Sequence, residues 1–166
     1  MKHKKKYQPL SNMEKVLPIL NKIALFGGLT TKQLNTVCTL LQSVSYKEGE
    51  RIFEHGDEPT SIYIVRSGEV KIVIDADVEP LEIFAFTAGH CFGETALIGI
   101  QPHSATAIAV VDTELIILSG EALLSISEHD KTLFGVLMLN IAREACRRLH
   151  KTDEILLHYV HHQHHP

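Results

Sequence analysis

The chain has 166 residues, a length that suits a single domain with a sizeable hydrophobic core. Hydrophobic residues make up 45% and charged residues 22%, an ordinary globular composition, and no apolar run approaches the roughly 18 residues of a membrane span. The formal net charge is −4, but without the four lysines of the N-terminal tail 12 basic residues face 20 acidic ones, a net of −8. That acidity argues against nucleic acid as a partner, because its backbone requires basic patches.

The three cysteines, Cys38, Cys91 and Cys146, are odd in number and widely separated. They predict neither a disulfide framework nor a metal site of the C-x-x-C type, so free thiols in a reducing cytosol are the expected state. The lysine-rich start continues into a polar segment instead of an apolar one, so no secretory signal is predicted. We therefore expect a cytoplasmic protein with no membrane partner.

Two helices are predicted before the first strand. Residues 12–25 carry apolar residues at helical spacing: Val16, Leu17, Leu20, Ile23 and Ala24. Proline is tolerated in a first helical turn, so the helix could instead begin at Pro18. After a break at residues 26–29, either Thr30 or Thr31 can cap a second helix.

From Ser43 the hydrophobic period changes from helical to alternating, and glycines recur at turn positions. Seven short strands are predicted, at residues 44–46, 51–53, 62–65, 70–74, 81–86, 106–111 and 115–118. Many short strands separated by glycine turns are typical of a β-sandwich or barrel.

The helical period returns after Ser119, which can cap a short helix over residues 121–127. Asp130 can cap a long one over residues 131–160. The long helix carries an apolar stripe: Phe134, Met138, Ile141, Ala145 and Leu149, extended by Ile155, Leu156 and Tyr159. Where the helix extends beyond the strands, the stripe needs another partner. We therefore predict a homodimer through this helix.

The functional signal lies in residues 92–98, with the sequence FGETALI, and in residues 102–106, with the sequence PHSAT. The pattern predicts a glycine turn that opens into a short helix. Gly93 lets the backbone approach a ligand closely, and the first amides of a helix have no intrahelical partners and attract anions. Glu94 adds a carboxylate that can accept hydrogen bonds from ligand hydroxyls. An anion beside a diol indicates a phosphorylated sugar.

These residues resemble the phosphate-binding cassette of cyclic nucleotide-binding domains, F-G-E-x-A-L followed after a gap by P-R-x-A-T. Three further phrases are similar to the same family: LFGGL at residues 25–29, YxxGExIF at residues 46–53 and IYIVxxGEV at residues 62–70. The resemblance covers roughly residues 20–150.

The resemblance implies a mainly β fold with flanking α-helices (α+β). The strands would form an antiparallel double-stranded β-roll, or jelly roll, with N-terminal helices and a long C-terminal helix. The implied organisation is a basic tail at 1–11, one domain at 12–160 and a His-rich tail at 161–166. Within the domain, helices occupy 12–42, the roll 43–119 and the C-terminal helices 120–160.

The resemblance also implies a ligand, cAMP or cGMP, and no cofactor. Glu94 would accept the ribose 2′-hydroxyl, and backbone amides of residues 93–96 and of Ala105 would contact the cyclic phosphate. The implied ligand-binding residues are Gly93, Glu94, Thr95, Ala96, His103, Ser104, Ala105 and Thr106. The purine would be lined by Ile72, Val73, Ile83 and Phe84 and covered by the long helix. On this interpretation Glu94→Ala weakens binding by about 1.5–3 kcal/mol and hardly changes the melting temperature.

One position departs from the family pattern, because His103 stands where the family has its phosphate-binding arginine. Loss of a charge-assisted, bidentate contact weakens binding by roughly ten- to over a hundredfold. Two interpretations stay open. In the first, the chain is a non-enzymatic regulatory module that binds a cyclic nucleotide and signals through its C-terminal helix to a protein partner or across a dimer. In the second, it is a scaffold that binds no nucleotide and acts through protein–protein contacts.

Enzymatic and metal-binding alternatives have weaker sequence support. His158, His161, His162 and His165 would share one helix face if the last helix continues, a geometry that can hold a transition metal, but a solvated tail is the simpler interpretation. No Ser–His–Asp, paired-carboxylate or Walker pattern is present. We expect no metal site and no catalytic residues.

Overall fold

The fold is taken from a computed structural model that describes residues 5–10, 13–75 and 80–163. Its strands are β1 Gln8–Pro9, β2 Gln42–Tyr46, β3 Arg51–Phe53, β4 Ser61–Ser67, β5 Glu69–Asp75, β6 Pro80–Thr87, β7 Cys91–Phe92, β8 Thr106–Ala109 and β9 Thr113–Ser119. Its α-helices are α1 Met13–Leu20, α2 Thr31–Leu40, α3 Glu94–Gly99, α4 Gly120–His129 and α5 Lys131–Gln163, and a 3₁₀ turn covers Ala24–Phe26.

The strands form two antiparallel sheets, with the orders β1-β2-β9-β4-β7 and β3-β8-β5-β6. The β-roll with flanking helices is therefore confirmed, and each of the seven predicted strands coincides with an observed one. The strands β1 and β7 were not predicted, because two residues are too few to show a period. None of the helices in the described part of the chain is both long and apolar enough to cross a membrane.

Helix ends follow the capping residues. Thr30 caps α2 in a capping box with Gln33, Ser119 accepts a hydrogen bond from the amide of Ala122 at 3.1 Å, and Asp130 accepts one from the amide of Leu133 at 2.8 Å. The first predicted helix is shorter than expected. It runs from Met13 to Leu20 with Pro18 inside it, so it does not begin at Pro18. It ends where the amides of Lys22 and Ile23 bond at 3.0 Å to carbonyls only three residues back, which tightens the last turn.

The strands β4 and β9 lie at the centre of the molecule and are buried on both faces. One face packs against the helices through Ile62, Ile64, Ile116 and Leu118, and the other packs against the second sheet through Tyr63, Val65, Leu115 and Ile117. This two-sided burial explains why both strands are continuous apolar runs instead of alternating ones.

Helix α5 is about 50 Å long at 1.5 Å per residue. Its N-terminal part packs on the helical core through Leu133, Leu137 and Ile141, while Phe134 and Met138 of the predicted stripe are only partly buried against that core. Asn140 anchors α5 by donating hydrogen bonds to the carbonyls of Leu25 at 3.0 Å and Gly27 at 2.8 Å. This anchor directs the second half of α5 across the roll.

Candidate functional site

A cavity of about 290 Å³ lies between the second sheet, α3 and α5. Its apolar wall consists of Phe53, Ile72, Ile83, Phe84, Phe86 and Phe92, and its polar end of Gly93, Thr95, Ala96, His103, Ser104 and Ala105. Helix α5 covers it with Ala145, Arg148, Leu149 and Thr152. The volume is close to the lower end of the range of about 300–1,000 Å³ that is usual for ligand sites.

Gly93 forms the turn that the sequence predicts at the polar end of this cavity. It has φ +82°, in the left-handed region, and is the N-cap of α3. A Cβ atom there would lie 3.0 Å from Cδ2 of Tyr63 and 3.2 Å from the carbonyl oxygen of Ser61, so only glycine fits without strain. The amides of Glu94, Thr95 and Ala96 precede the first intrahelical donor, Leu97, whose amide bonds to the carbonyl of Gly93 at 3.2 Å.

Glu94 is fully buried and forms an ion pair with Arg148 of α5. The Arg148 side chain is 18% exposed, and its guanidinium carbon lies 5.6 Å from the centroid of the Phe86 ring. Burial lowers the pKa of Arg148, and the nearby Cys91 partly opposes this shift. Neither carboxylate oxygen of Glu94 nor Nη2 of Arg148 has a further hydrogen-bond partner within the described residues.

The sequence interpretation missed the aromatic residues Phe53, Phe86 and Phe92 of the wall and, most consequentially, Arg148, the one arginine or lysine among the described lining residues. Arg148 lies in a charged stretch that includes Arg143 and Arg147, and the exposed Arg147 pairs with the partly buried Glu144. A signal was nevertheless present, because Ile141, Ala145, Arg148 and Thr152 follow one another at helical spacings of 4, 3 and 4. An arginine at helical spacing from Ile141 and Ala145 of the apolar stripe is therefore expected to lie on the same face of α5.

His103 lies at the same end of the cavity but is held flat against an aromatic ring. Its ring stacks on Phe53 with centroids 3.6 Å apart and an interplanar angle of 7°, and the residue is buried. Burial lowers the pKa of His103 from its ordinary value, and Asp57 partly opposes this shift. At neutral pH the imidazole is therefore neutral, and it supplies no full charge to the cavity.

The lowered pKa of His103 makes the stability of the fold depend on pH. Below the ordinary value of 6.5 the unfolded chain binds this proton more readily than the folded chain, so the stabilisation present above that value is lost as the pH falls toward the folded pKa. When the pH is lowered from about 7.5 to about 5.5, the free energy of unfolding measured in urea should fall more for the wild type than for His103→Gln.

The matched control for this measurement is His55→Gln, a change at an exposed histidine of the same region. Because His55→Gln keeps His103, its free energy of unfolding should fall more than that of His103→Gln over the same pH interval. A pKa of 6.5 or higher for His103 in the folded protein, measured by proton NMR titration, would contradict the interpretation that burial lowers this pKa.

Three of the predicted site residues do not line the cavity: Glu94, which is fully buried beside its polar end, Thr106 and Val73. The Thr106 side chain is buried, and its Oγ1 accepts a hydrogen bond from the amide of His55 at 3.1 Å. Val73 is also buried, on the face of β5 opposite Ile72. Ile83 and Phe84 both reach the cavity although they are consecutive, because Ile72 pairs with Phe84 while Val73 pairs with Glu82, which leaves Ile83 as the extra residue of a bulge.

The structure does not test the metal site that the C-terminal histidines could form. Within the described residues no group of three or more His, Cys, Asp or Glu side chains could hold a metal ion. The weak candidates cannot be placed, because His165 and the side chains of His158, His161 and His162 lie outside the described residues.

Known proteins resemble this chain in both sequence and fold. The family model of the cyclic nucleotide-binding domain matches residues 43–130. The cyclic AMP receptor protein of Thermus thermophilus is 30% identical over 132 residues, which are 78% of this chain and 58% of that protein. The type II regulatory subunit of the cAMP-dependent protein kinase of Drosophila melanogaster is 32% identical over 91 residues, 55% of this chain and 24% of that protein. The chain thus spans less than two thirds of either relative.

A crystal structure of a cyclic nucleotide-binding domain from Methylobacillus flagellatus has a TM-score of 0.78 to this chain at 24% identity. The alignment covers 87% of this chain and 82% of that one. At this level of identity the likeness concerns the fold.

Proposed function

We propose that this chain, which belongs to the cyclic nucleotide-binding domain family, is a regulatory module that binds a cyclic nucleotide between its β-roll and α5. The family match confirms the resemblance of the cassette motif. The names of the Thermus and Drosophila relatives make cAMP the first ligand to test, with cGMP the second.

The observation that carries this proposal is the position of the Gly93 turn at the end of an aromatic cavity. The outward-facing amides of α3, together with Ser104 and Ala105, provide donors for a cyclic phosphate. Glu94 lies beside this end as an acceptor for the ribose 2′-hydroxyl. Ile72, Ile83 and the aromatic side chains of the wall provide an apolar surface for the purine.

The same cavity provides a route for the signal. Ala145, Arg148, Leu149 and Thr152 of α5 form its cover, so a ligand that fills it contacts the helix directly. If α5 can adopt two positions, a ligand shifts the equilibrium between them by the difference in its binding free energy for the two. The module is proposed to be non-enzymatic and cytoplasmic, with free Cys38, Cys91 and Cys146, and to transmit this shift to a protein partner or across a dimer.

The proposal is tested by calorimetric titration of the protein with cAMP, cGMP and 2′-deoxy-cAMP. The 2′-deoxy analogue lacks only the hydroxyl that would donate a hydrogen bond to Glu94. It should therefore bind more weakly than cAMP by about 1.5–3 kcal/mol, roughly ten- to over a hundredfold. Equal affinities of cAMP and its 2′-deoxy analogue would contradict the role of Glu94.

A second candidate function is a scaffold that binds no nucleotide. Two observations favour it: the neutral, stacked His103 in the arginine position, and the engagement of Glu94 with Arg148. The same titration decides between the two, because absence of heat and of any thermal shift with either nucleotide at about millimolar concentration would leave only the scaffold.

We also propose that the module forms a homodimer through α5. Leu149, Leu156 and Leu157 on the second half of this helix are 60–63% exposed, which is a large apolar surface for a monomer. Sedimentation velocity at micromolar concentration should show a dimer, and the variant with Leu156→Glu and Leu157→Glu should be monomeric. Leu124→Glu, at a leucine of α4 that is 61% exposed, is the matched control and should remain dimeric. A monomeric wild type would contradict the proposal.

A further inference from the structure

The cavity contains an imbalance between its charges and those of its proposed ligand. A cyclic nucleotide carries one negative charge on its phosphodiester, and the fully buried Glu94 carries another beside it. Among the described lining residues, Arg148 is the only lysine or arginine. His103 occupies the position where the family pattern has a cation, but it is buried and stacked on Phe53.

Arg148 has hydrogen-bonding capacity to spare. Its guanidinium contacts Oε1 of Glu94 and lies over the Phe86 ring, so it is held at the inner surface of the cavity instead of in solvent. A guanidinium has five N–H donors, and Nη2 has no further hydrogen-bond partner in the described part of the chain. The planar fork of arginine matches a phosphate as well as a carboxylate.

The charges of the family pattern are reproduced if Arg148 serves both anions. In that pattern one arginine of the cassette and one glutamate meet one phosphodiester, which leaves a net charge of −1 in the site. Here Arg148, Glu94 and one phosphodiester give the same net charge, and the cation comes from α5 instead of from the loop before β8.

We propose that Arg148 supplies, from helix α5, the cation that binds the cyclic phosphate, in place of the arginine that the cassette lacks at position 103. This inference rests on the proposed function. It adds a physical link between ligand and output, because the residue that holds the anion is part of the moving helix. Ligand binding and docking of α5 are then a single equilibrium instead of two coupled ones.

The experiment is a calorimetric titration of the full chain with cAMP and cGMP in the wild type and four variants. Arg148→Ala should weaken binding at least about tenfold, since it removes a charge-assisted contact. Arg148→Lys, which keeps the charge and loses the fork, should lie between the wild type and Arg148→Ala. Arg148→Gln keeps a donor for Glu94 without the charge and should bind as weakly as Arg148→Ala. Arg147→Ala changes the neighbouring arginine, which is 60% exposed and does not line the cavity; it is the matched control and should bind like the wild type.

A rescue variant tests whether position 103 and position 148 serve the same anion. In the Arg148→Ala background, His103→Arg should recover affinity by at least about tenfold, because it returns a guanidinium to the cassette. Circular dichroism and thermal melting establish that each variant is folded, and if Arg148→Ala is not, the Gln and Lys variants decide the result.

The possible outcomes separate the two proposals. If the wild type binds a nucleotide and Arg148→Ala, or Arg148→Gln in its place, binds equally well, this inference fails and the proposed function stands. Tighter binding by the Ala or Gln variant would also overturn it, because Arg148 would then be competing with the ribose for Glu94. His103→Arg is also made in the wild-type background, and if neither the wild type nor this single variant binds cAMP or cGMP, the proposed function itself fails, and the inference with it.

Discussion

Arg148→Ala is expected to destabilise the ligand-free protein by about 3–5 kcal/mol, because it leaves a buried carboxylate without its cation. Glu94 is fully buried and follows the rigid turn at Gly93, so its carboxylate cannot reach solvent. The converse change should cost less. In Glu94→Ala the 18%-exposed Arg148 can extend from the surface of α5 into water. We expect a loss of about 1.5–3 kcal/mol for that variant, the usual contribution of a hydrogen bond between charged groups.

Chemical denaturation of these variants and of the double variant tests the asymmetry. Arg147→Ala is the control, because Arg147 is 60% exposed and its ion pair with the partly buried Glu144 should contribute only about 1 kcal/mol. The double variant should lose less stability than the sum of the two single variants, since neither charge is then left alone. If Arg148→Ala is as stable as Arg147→Ala, the buried ion pair between Glu94 and Arg148 does not stabilise the protein.

The sequence-based expectation that Glu94→Ala leaves the melting temperature almost unchanged assumed that Glu94 contacts only the ligand.

Gly93→Ala is expected to destabilise the protein by about 2–5 kcal/mol, for two reasons that add. The left-handed conformation at φ +82° costs roughly 1–2 kcal/mol for a residue with a side chain. The new methyl group would also press on the buried ring of Tyr63 and on the carbonyl of Ser61, and overpacking of this kind costs about 1–3 kcal/mol. Since relief of these contacts moves the start of α3, nucleotide affinity should fall as well.

Gly89→Ala is the matched control for this prediction. Gly89 has φ +92°, but a Cβ atom there would meet nothing within 4 Å, so only the conformational cost of roughly 1–2 kcal/mol applies. Urea unfolding of both variants measures the difference, which isolates the contact with Tyr63 and Ser61. Equal losses in the two variants would show that the space around Gly93 is not restrictive.

Much of the fold can be predicted from the sequence because it depends on local patterns. The change from helical to alternating period near residue 43 places the strands, and the hydroxyl of Ser119 and the carboxylate of Asp130 identify the starts of α4 and α5. The FGE motif likewise predicts the turn at Gly93, because only glycine adopts its left-handed conformation readily. Each of these features is determined within a few residues of the chain.

The composition of the cavity depends on contacts that no local pattern contains. The bulge at Ile83 exists only in the pairing of β6 with β5, and it brings two consecutive side chains to the same cavity. The stacking of His103 on Phe53 joins residues 50 positions apart. It turns a histidine at the anion-binding position of the cassette into a buried, neutral ring. Neither effect is visible in the cassette motif.

The pairing of Glu94 with Arg148 shows most clearly what the tertiary structure decides. The sequence by itself determines that α5 is a long helix in which Arg148 shares a face with Ile141 and Ala145 of the apolar stripe, because both follow from a 3.6-residue period. Which element that face covers depends on the anchor of Asn140 to the carbonyls of Leu25 and Gly27, over 100 residues away. The anchor directs α5 across the cavity and brings a guanidinium to a carboxylate on another element. Long-range packing, which the local period does not encode, therefore decides that this arginine belongs to the site.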